Sequence, residues 1–160
     1  MTLVGIISDT HDNRPLIRKA VELFNEREVK LVLHAGDFIA PFVAKDFEAL
    51  RCPLVGVFGN NDGEVEGLKR AFREVGEIHR GPHSFTYEGR RIALMHEPKG
   101  LEEFLRREYD LVVYGHTHEP EVREGRPLVV NPGEAGGWLH GRSTVVVLDL
   151  DGMKAELLEI

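Results

Sequence analysis

Among the 160 residues there is one cysteine, Cys52, and no glutamine at all. A lone thiol excludes an internal disulfide and fits a reducing compartment. It also excludes a multi-thiolate zinc site, so any metal centre must be built from oxygen and nitrogen donors. No apolar run approaches the ~18 residues of a membrane span. The opening residues carry no basic stretch ahead of an apolar one, so no secretory leader is expected. Clustered cations are lacking too. The formal net charge is −7, and a surface for polymeric nucleic acid needs concentrated positive charge to release counterions. A small phosphate-bearing ligand escapes that exclusion, because bound cations can supply the local charge. Missing glutamine together with abundant charge is compatible with tolerance of heat. These exclusions lead to the expectation of one cytoplasmic domain over residues 1–160, with no membrane association.

What is present is strand–helix alternation. Leu3-Val4-Gly5-Ile6-Ile7 has the length and β-branched content of a buried strand. Asp12-Asn13 offers a helix cap and Pro15 a first turn, with Leu16, Ile17, Ala20, Val21, Leu23 and Phe24 on one helical face. Leu31–Leu33 is a second strand, and a helix after Pro41 carries Val43, Phe47 and Leu50. Leu54–Phe58 is a third strand, and Val65, Leu68, Phe72 and Val75 mark a third helix. Three such alternations imply parallel strands with right-handed crossovers. The second half reads as hairpins, turning at Glu88-Gly89, Glu124-Gly125 and Asp151-Gly152. A short helix around Leu101, Phe104 and Leu105 precedes the strand Leu111–Tyr114. An antiparallel part is therefore expected after the β-α units, giving an α/β (α+β) protein of two packed sheets with helices outside.

The polar residues gather where strands stop. Asp9 and His11 end the first strand, and side chains two apart on extended backbone point the same way. Asp37 ends the second, Asn60-Asn61-Asp62 the third. His96 follows the strand Ile92–Met95, and His116-Thr117-His118 follows Gly115. The carboxyl ends of strands are where open α/β sheets place their sites. Taken singly, Asp37 is a turn cap and Asn60-Asn61-Asp62-Gly63 an ordinary turn. Five separate strand ends carrying metal-type donors are a different matter. Carboxylate, imidazole and amide donors suit Mn, Fe, Zn, Co or Ni.

These segments, in order, resemble the five motifs of the calcineurin-like metallophosphoesterase superfamily: Asp9-Thr10-His11, Gly36-Asp37, Gly59-Asn60-Asn61-Asp62, His96-Glu97 and Gly115-His116-Thr117-His118. The length is similar to that of its small bacterial and archaeal phosphodiesterases, a branch that shares its fold with a retromer-subunit scaffold. The resemblance implies a four-layer α/β/β/α sandwich with the site at the strand ends. It implies two divalent ions, with Mn the first expectation and Ni, Zn, Fe or Co tolerated. One would be held by Asp9, His11 and His118, the other by Asn60, His96 and His116, with Asp37 bridging. Asp37, Asn60 and His96 would be central to catalysis. A water between two ions ~3.5–4 Å apart would attack a small phosphate ester. The alternative is a non-catalytic interaction scaffold on the same fold, against which all seven donor positions stand filled. A third reading is a nucleotide-processing enzyme.

One departure concerns Asn61, which stands where many relatives have a histidine that protonates the leaving group. An amide is no general acid, so diesters and activated esters are favoured over alkyl monoesters. His140 could replace that acid and Arg142 could bind phosphate, although a loop position makes surface roles the plainer expectation for both. Asp62 is expected to support a turn behind the ligands. His34 is expected to be packed, His79 and His83 to lie exposed near a Gly-Pro turn, and Trp138 to pack on its own hairpin. Asn131-Pro132-Gly133 is open between a plain turn and a segment near the site. An exposed hairpin edge could pair in a homodimer.

Overall fold

A computed structural model describes residues 1–160. Its construction follows from β1 (Leu3–Ile7), a strand buried on both faces. Val4 and Ile6 enter one apolar cluster and Ile7 another, as the two-residue period of a strand requires. One face is covered by α1 (Arg14–Glu26), through Ile17, Ala20, Val21 and Phe24. The Phe24 ring lies so close that a Cβ on Gly5 would sit 2.7 Å from its Cε1.

The chain continues through β2 (Leu31–His34), a 3-10 turn at Pro41–Val43, α2 (Ala44–Phe47), β3 (Leu54–Val57), α3 (Val65–Ala71) and β4 (Gly76–His79). Then come β5 (His83–Tyr87), β6 (Arg90–Leu94), α4 (Leu101–Leu105), β7 (Leu111–Val113), β8 (Glu121–Arg123), β9 (Leu128–Asn131), β10 (Thr144–Asp149) and β11 (Lys154–Glu159). One sheet has the order β11-β10-β1-β2-β3-β4 and the other β5-β6-β7-β9-β8. Both are mixed. β1 to β4 are parallel, with β10 antiparallel to β1. In the other sheet β6, β7 and β9 are parallel, and β5 and β8 are antiparallel edges.

Fifteen buried residues, Val4, Leu33, Ile92, Val113 and Val146 among them, fill the space between the sheets. Nineteen more lie on the α1–α3 side. Met95, Tyr109, Val112 and Tyr114 pack with Leu101 on the far side, under α4. The layers are therefore helix, sheet, sheet, helix, as expected.

The second half departs from its expected antiparallel character. The Glu88-Gly89 and Glu124-Gly125 hairpins form, but they place β5 and β8 at the edges. The interior of that sheet comes from strands of different hairpins, so it is parallel. β4 was not legible at all: α3 ends at Ala71, and Ile78 is the only buried residue of Gly76–His79. His79 and His83 consequently sit half-buried in strands, not exposed in a turn. The functional result is that six parallel strands, β1, β2, β3, β6, β7 and β9, deliver their carboxyl ends to one rim.

Candidate metal centre

Two buried carboxylates form the floor of this rim. Asp9 follows β1 and is 0% exposed; Asp37 follows β2 and is 1% exposed. Asp9 Oδ2 accepts from Ser8 Oγ at 2.7 Å and from the backbone N–H of His116 at 3.1 Å. Asp37 accepts from Asn61 twice, Oδ1 from the backbone N–H and Oδ2 from the side-chain amide, each at 2.9 Å. Close approach demands glycine beside both. A Cβ on Gly59 would overlap Asp37 Oδ1, and one on Gly115 would overlap Ser8 Oγ and lie 2.8 Å from Asp9 Oδ2.

The imidazoles stand over the carboxylates. His11 Nε2 lies 3.5 Å from Asp9 Oδ1 and 3.3 Å from Asp37 Oδ2. His118 Nε2 is 3.4 Å from Asp9 Oδ1. On the other side, His96 Nε2 is 3.5 Å from Asp37 Oδ2 and 2.8 Å from Asn60 Oδ1. His116 Nδ1 is 3.2 Å from both Asn60 Oδ1 and His96 Nε2. The seven donors thus fall into two groups that meet at Asp37. Asn60 and His116, at the lip, are exposed to solvent.

Local backbone makes this convergence possible at a cost. Asp9, His11, Asp37, His116 and His118 all have positive φ, between 43° and 71°. Such conformations cost of order 1 kcal/mol or more for residues other than glycine, and they concentrate at functional sites. Half of the ten non-glycine residues with positive φ belong to this cluster.

Electrostatics and hydrogen bonding fit a cation. Burial pushes the Asp9 and Asp37 carboxyls up, but the neighbouring imidazoles and the bonds from Ser8 and Asn61 outweigh it, and both are held below their usual range. The carboxylates of Asp37 and then Asp9, close beside its ring, raise His11 to about 10. His96 Nδ1 donates to Ala35 O at 2.7 Å, and its Nε2 faces Asn60 Oδ1 at 2.8 Å. Asp9 Oδ1, His11 Nε2 and His118 Nδ1 are buried and make no hydrogen bond. Buried polar atoms are nearly always satisfied, and Asp9 Oδ1 and His11 Nε2, side by side without partners, are placed to share a cation. Two sets of mutually close donors illustrate this, Asp9–His11–His118 and Asp9–Asp37–His96, each with ligand atoms within 4.8 Å of one another.

Other expected residues surround the cluster. Asp62 accepts from the N–H groups of Asp37, Ile39 and Gly59, at 2.8, 2.7 and 2.8 Å, and so pins two motif turns together. His34 is packed as expected, stacked on Phe38 with ring centroids 3.6 Å apart. Burial drives it down to about 3, so it is neutral. Asn13 makes no side-chain cap; its amide donates to Gly136 O at 2.7 Å and ties the Gly136–Arg142 loop to the rim. Trp138 is exposed and donates to His11 O at 3.1 Å, so it reaches over the first motif and not onto its own hairpin. His140 is at the edge, its ring 6.5 Å from that of His118. Arg142 is not brought into the cluster; it pairs with Glu159 at 3.5 Å.

A sixth strand end answers the question left open for Asn131-Pro132-Gly133, which lies beside the site. Asn131 is fully buried and donates to Gly115 O and Thr117 Oγ1, holding the His116–His118 turn. Glu134, 1% exposed, lies 3.4 Å from His118 Nδ1 and accepts from the N–H groups of Leu139 and His140. Carboxylates in this position orient ligating imidazoles. Asn131-Pro132-Gly133 was its one sequence signal.

Oxygen and nitrogen donors at the carboxyl ends of parallel strands from two packed sheets define an α/β protein with a metal-competent centre. The chain belongs to the calcineurin-like phosphoesterase superfamily, whose domain it matches over residues 2–153. It is accordingly an enzyme of the phosphoric-ester hydrolase class. It is 40% identical over 163 residues to phosphodiesterase MJ0936 of Methanocaldococcus jannaschii, covering 98% of this chain and 97% of that one. A solved archaeal phosphodiesterase superposes with a TM-score of 0.94 at 37% identity, covering 99% of this chain and 100% of the other. A Vps29 mutant from Entamoeba histolytica reaches a TM-score of 0.71 at 20% identity over 99% of both chains. That last likeness is one of fold alone.

Proposed function

We propose that the protein is a phosphodiesterase that uses two divalent cations to hydrolyse small phosphate esters. The observation that carries this reading is the pair of donor groups meeting at Asp37, which lies 3.3 Å from His11 Nε2 and 3.5 Å from His96 Nε2. Asp9, His11 and His118 would hold one ion, and Asn60, His96 and His116 the other, with Asp37 shared. Such a pair, when bound, supplies Lewis acidity toward the phosphoryl oxygens and toward water. The Asp37 oxygen that faces both groups, Oδ2, is placed to be shared by two cations, and the neutral Asn60 carbonyl leaves the centre positive enough for an anionic ester.

The chain's own residues do the rest. Asn61 keeps both oxygens of Asp37 oriented. Ala35 O and Glu134 orient the His96 and His118 rings. A cavity of about 440 Å³ opens beside Asn60 and His96, lined by Phe58, Met95, Arg80 and Lys99. That volume suits a small ligand, and its lining carries both signs, Arg80 and Lys99 with Asp62 and Glu97. Because Asn61 supplies no proton, the leaving group must depart with little acid assistance, which favours diesters. All seven donors being present supports an enzyme over a scaffold.

The test is turnover of an activated phosphodiester beside the matching monoester, by protein stripped of metal and reloaded with Mn²⁺, Ni²⁺ or Zn²⁺. Metal-dependent diester cleavage exceeding monoester cleavage is expected. No turnover of either by protein with metal demonstrably bound would return the scaffold reading.

A further inference from the structure

We propose that Glu77, His79 and His83 form a separate cation site, taking a first-row transition-metal ion such as Zn²⁺ or Co²⁺, that clasps the rims of the two sheets. Each of the three offers a ligand atom within 4.8 Å of the others. None of them belongs to the centre at the strand ends. Glu77 and His79 are two apart on β4, so their side chains leave the strand on the same face. His83 opens β5, four residues further on. β4 is the edge of one sheet and β5 the edge of the other, so an ion shared by these residues ties together edges that exchange no strand-to-strand hydrogen bonds.

The site has the chemistry of a transition-metal ligand set. Two imidazoles and one carboxylate are a known zinc combination, and they leave a position for water. His79 Nε2 is shielded from solvent and makes no hydrogen bond, though Glu77 Oε1 is 3.2 Å away. A misaligned contact of that length leaves the nitrogen without a partner. His79 and His83 lie face to face, with centroids 3.8 Å apart and planes 10° from parallel. Phe85 stacks on His83 with centroids 5.3 Å apart and planes 21° from parallel, which steadies the ring. The backbone beneath is fixed, since Phe58 N–H donates to His79 O at 3.0 Å.

Metal content tests this directly. The full chain and the double variant His79→Ala/His83→Ala would be stripped with chelator, dialysed to equilibrium against Co²⁺, and assayed for bound cobalt and visible absorption. The wild type is expected to hold one more ion per chain, with an added Co²⁺ absorption band, while hydrolysis by Mn²⁺-loaded protein is the same for both. Glu77→Gln preserves the shape of β4 and is expected to weaken that ion by at least about tenfold; it decides the matter if the double variant is unstable. Metal that binds this site only in the folded chain also raises the melting temperature, an increment expected in wild type and lost in the variants. Equal cobalt content in wild type and variants would overturn the proposal. So would loss of hydrolysis in step with loss of the ion, which would make these imidazoles part of the hydrolytic centre. A wild type that binds an ion here but hydrolyses no ester would uphold the clasp and sink the phosphodiesterase reading instead.

Discussion

Asn61 holds Asp37 by both of its N–H groups: the backbone amide reaches Oδ1 and the side-chain amide Oδ2, each at 2.9 Å. The residue that lacks an acid's proton is therefore occupied in orienting the shared carboxylate. Asn61→Ala removes one of the two bonds and frees the carboxylate to rotate. The concentration of Mn²⁺ giving half-maximal hydrolysis is expected to rise about 10- to 100-fold, the range for residues that support metal ligands. A metal titration of activity reads this, and an unchanged midpoint would remove Asn61 from the support of Asp37.

Asn61→His tests the other consequence. It keeps the backbone bond to Asp37 and adds a group that can give a proton to a departing oxygen. General acids contribute about 100-fold or more where leaving groups are poor. The ratio of monoester to diester turnover is expected to rise about tenfold or more. Parallel kinetics on a matched ester pair would show it, and a constant ratio would mean that the leaving group is protonated from elsewhere.

Asp37 and His140 separate the shared ligand from a bystander. Asp37 touches both donor groups, whereas the His140 ring lies 6.5 Å from His118, at the edge. Asp37→Asn keeps the shape and loses the charge, and is expected to lower kcat/KM by at least about 100-fold and to reduce bound metal. His140→Ala is expected to leave kcat/KM nearly unchanged. Small, equal losses would mean that Asp37 is not shared.

Most of the centre was legible because its donors come in pairs or follow strands that announce themselves. Leu3–Ile7 and Leu111–Val113 are apolar runs, so Asp9 and His116 stand out where each run stops. Glu134 and β4 were hidden for the opposite reason. Glu134 follows a turn and has no periodic neighbour, so it reads like any surface acid until the fold buries it against His118. β4 has a single buried side chain, Ile78, and an edge strand needs no more than that. The parallel interior of the second sheet was missed because hairpin signals are local, while the pairing of β6, β7 and β9 is set by what covers both faces. The left-handed backbone of His116 and His118 also left no mark, since histidine gives no hint of it as glycine would.

Glu134 supplies a prediction from that hidden part. It is buried, contacts His118 Nδ1 at 3.4 Å, and receives the N–H groups of Leu139 and His140. Glu134→Ala removes the ring's orienting carboxylate and the anchor of the Trp138 loop together. Metal affinity is expected to fall about 10- to 100-fold. Glu134→Gln keeps an acceptor for the loop but loses the charge facing His118, so its loop should stay ordered while part of the affinity loss remains. Trp138 fluorescence separates the two effects, shifting in the alanine variant and not in the glutamine one.

The last prediction concerns protons. The carboxylates of Asp37, then of Asp9, raise His11 from 6.5 to about 10 in the metal-free chain. His11 is therefore protonated at neutral pH, while Asp9 and Asp37, both held below the usual range, stay charged. His34, driven down to about 3, stays neutral across the same window. A metal ion needs the His11 lone pair, so loading must expel that proton. Apparent metal affinity is then expected to rise with pH from about 6.5 to about 10, by up to about tenfold per pH unit, and to level off above. The metal-free chain should respond with the opposite sign. A raised histidine contributes stability that is fully present below its unfolded pKa and is lost as pH climbs through the folded one. Stripped protein should thus melt at a lower temperature at pH 9 than at pH 7, while excess metal flattens or reverses the trend. Calorimetric titration in two buffers of different ionisation enthalpy counts the protons released per ion. An affinity independent of pH across this window would mean that His11 is not the proton-bearing ligand that its contacts with Asp9 and Asp37 make it.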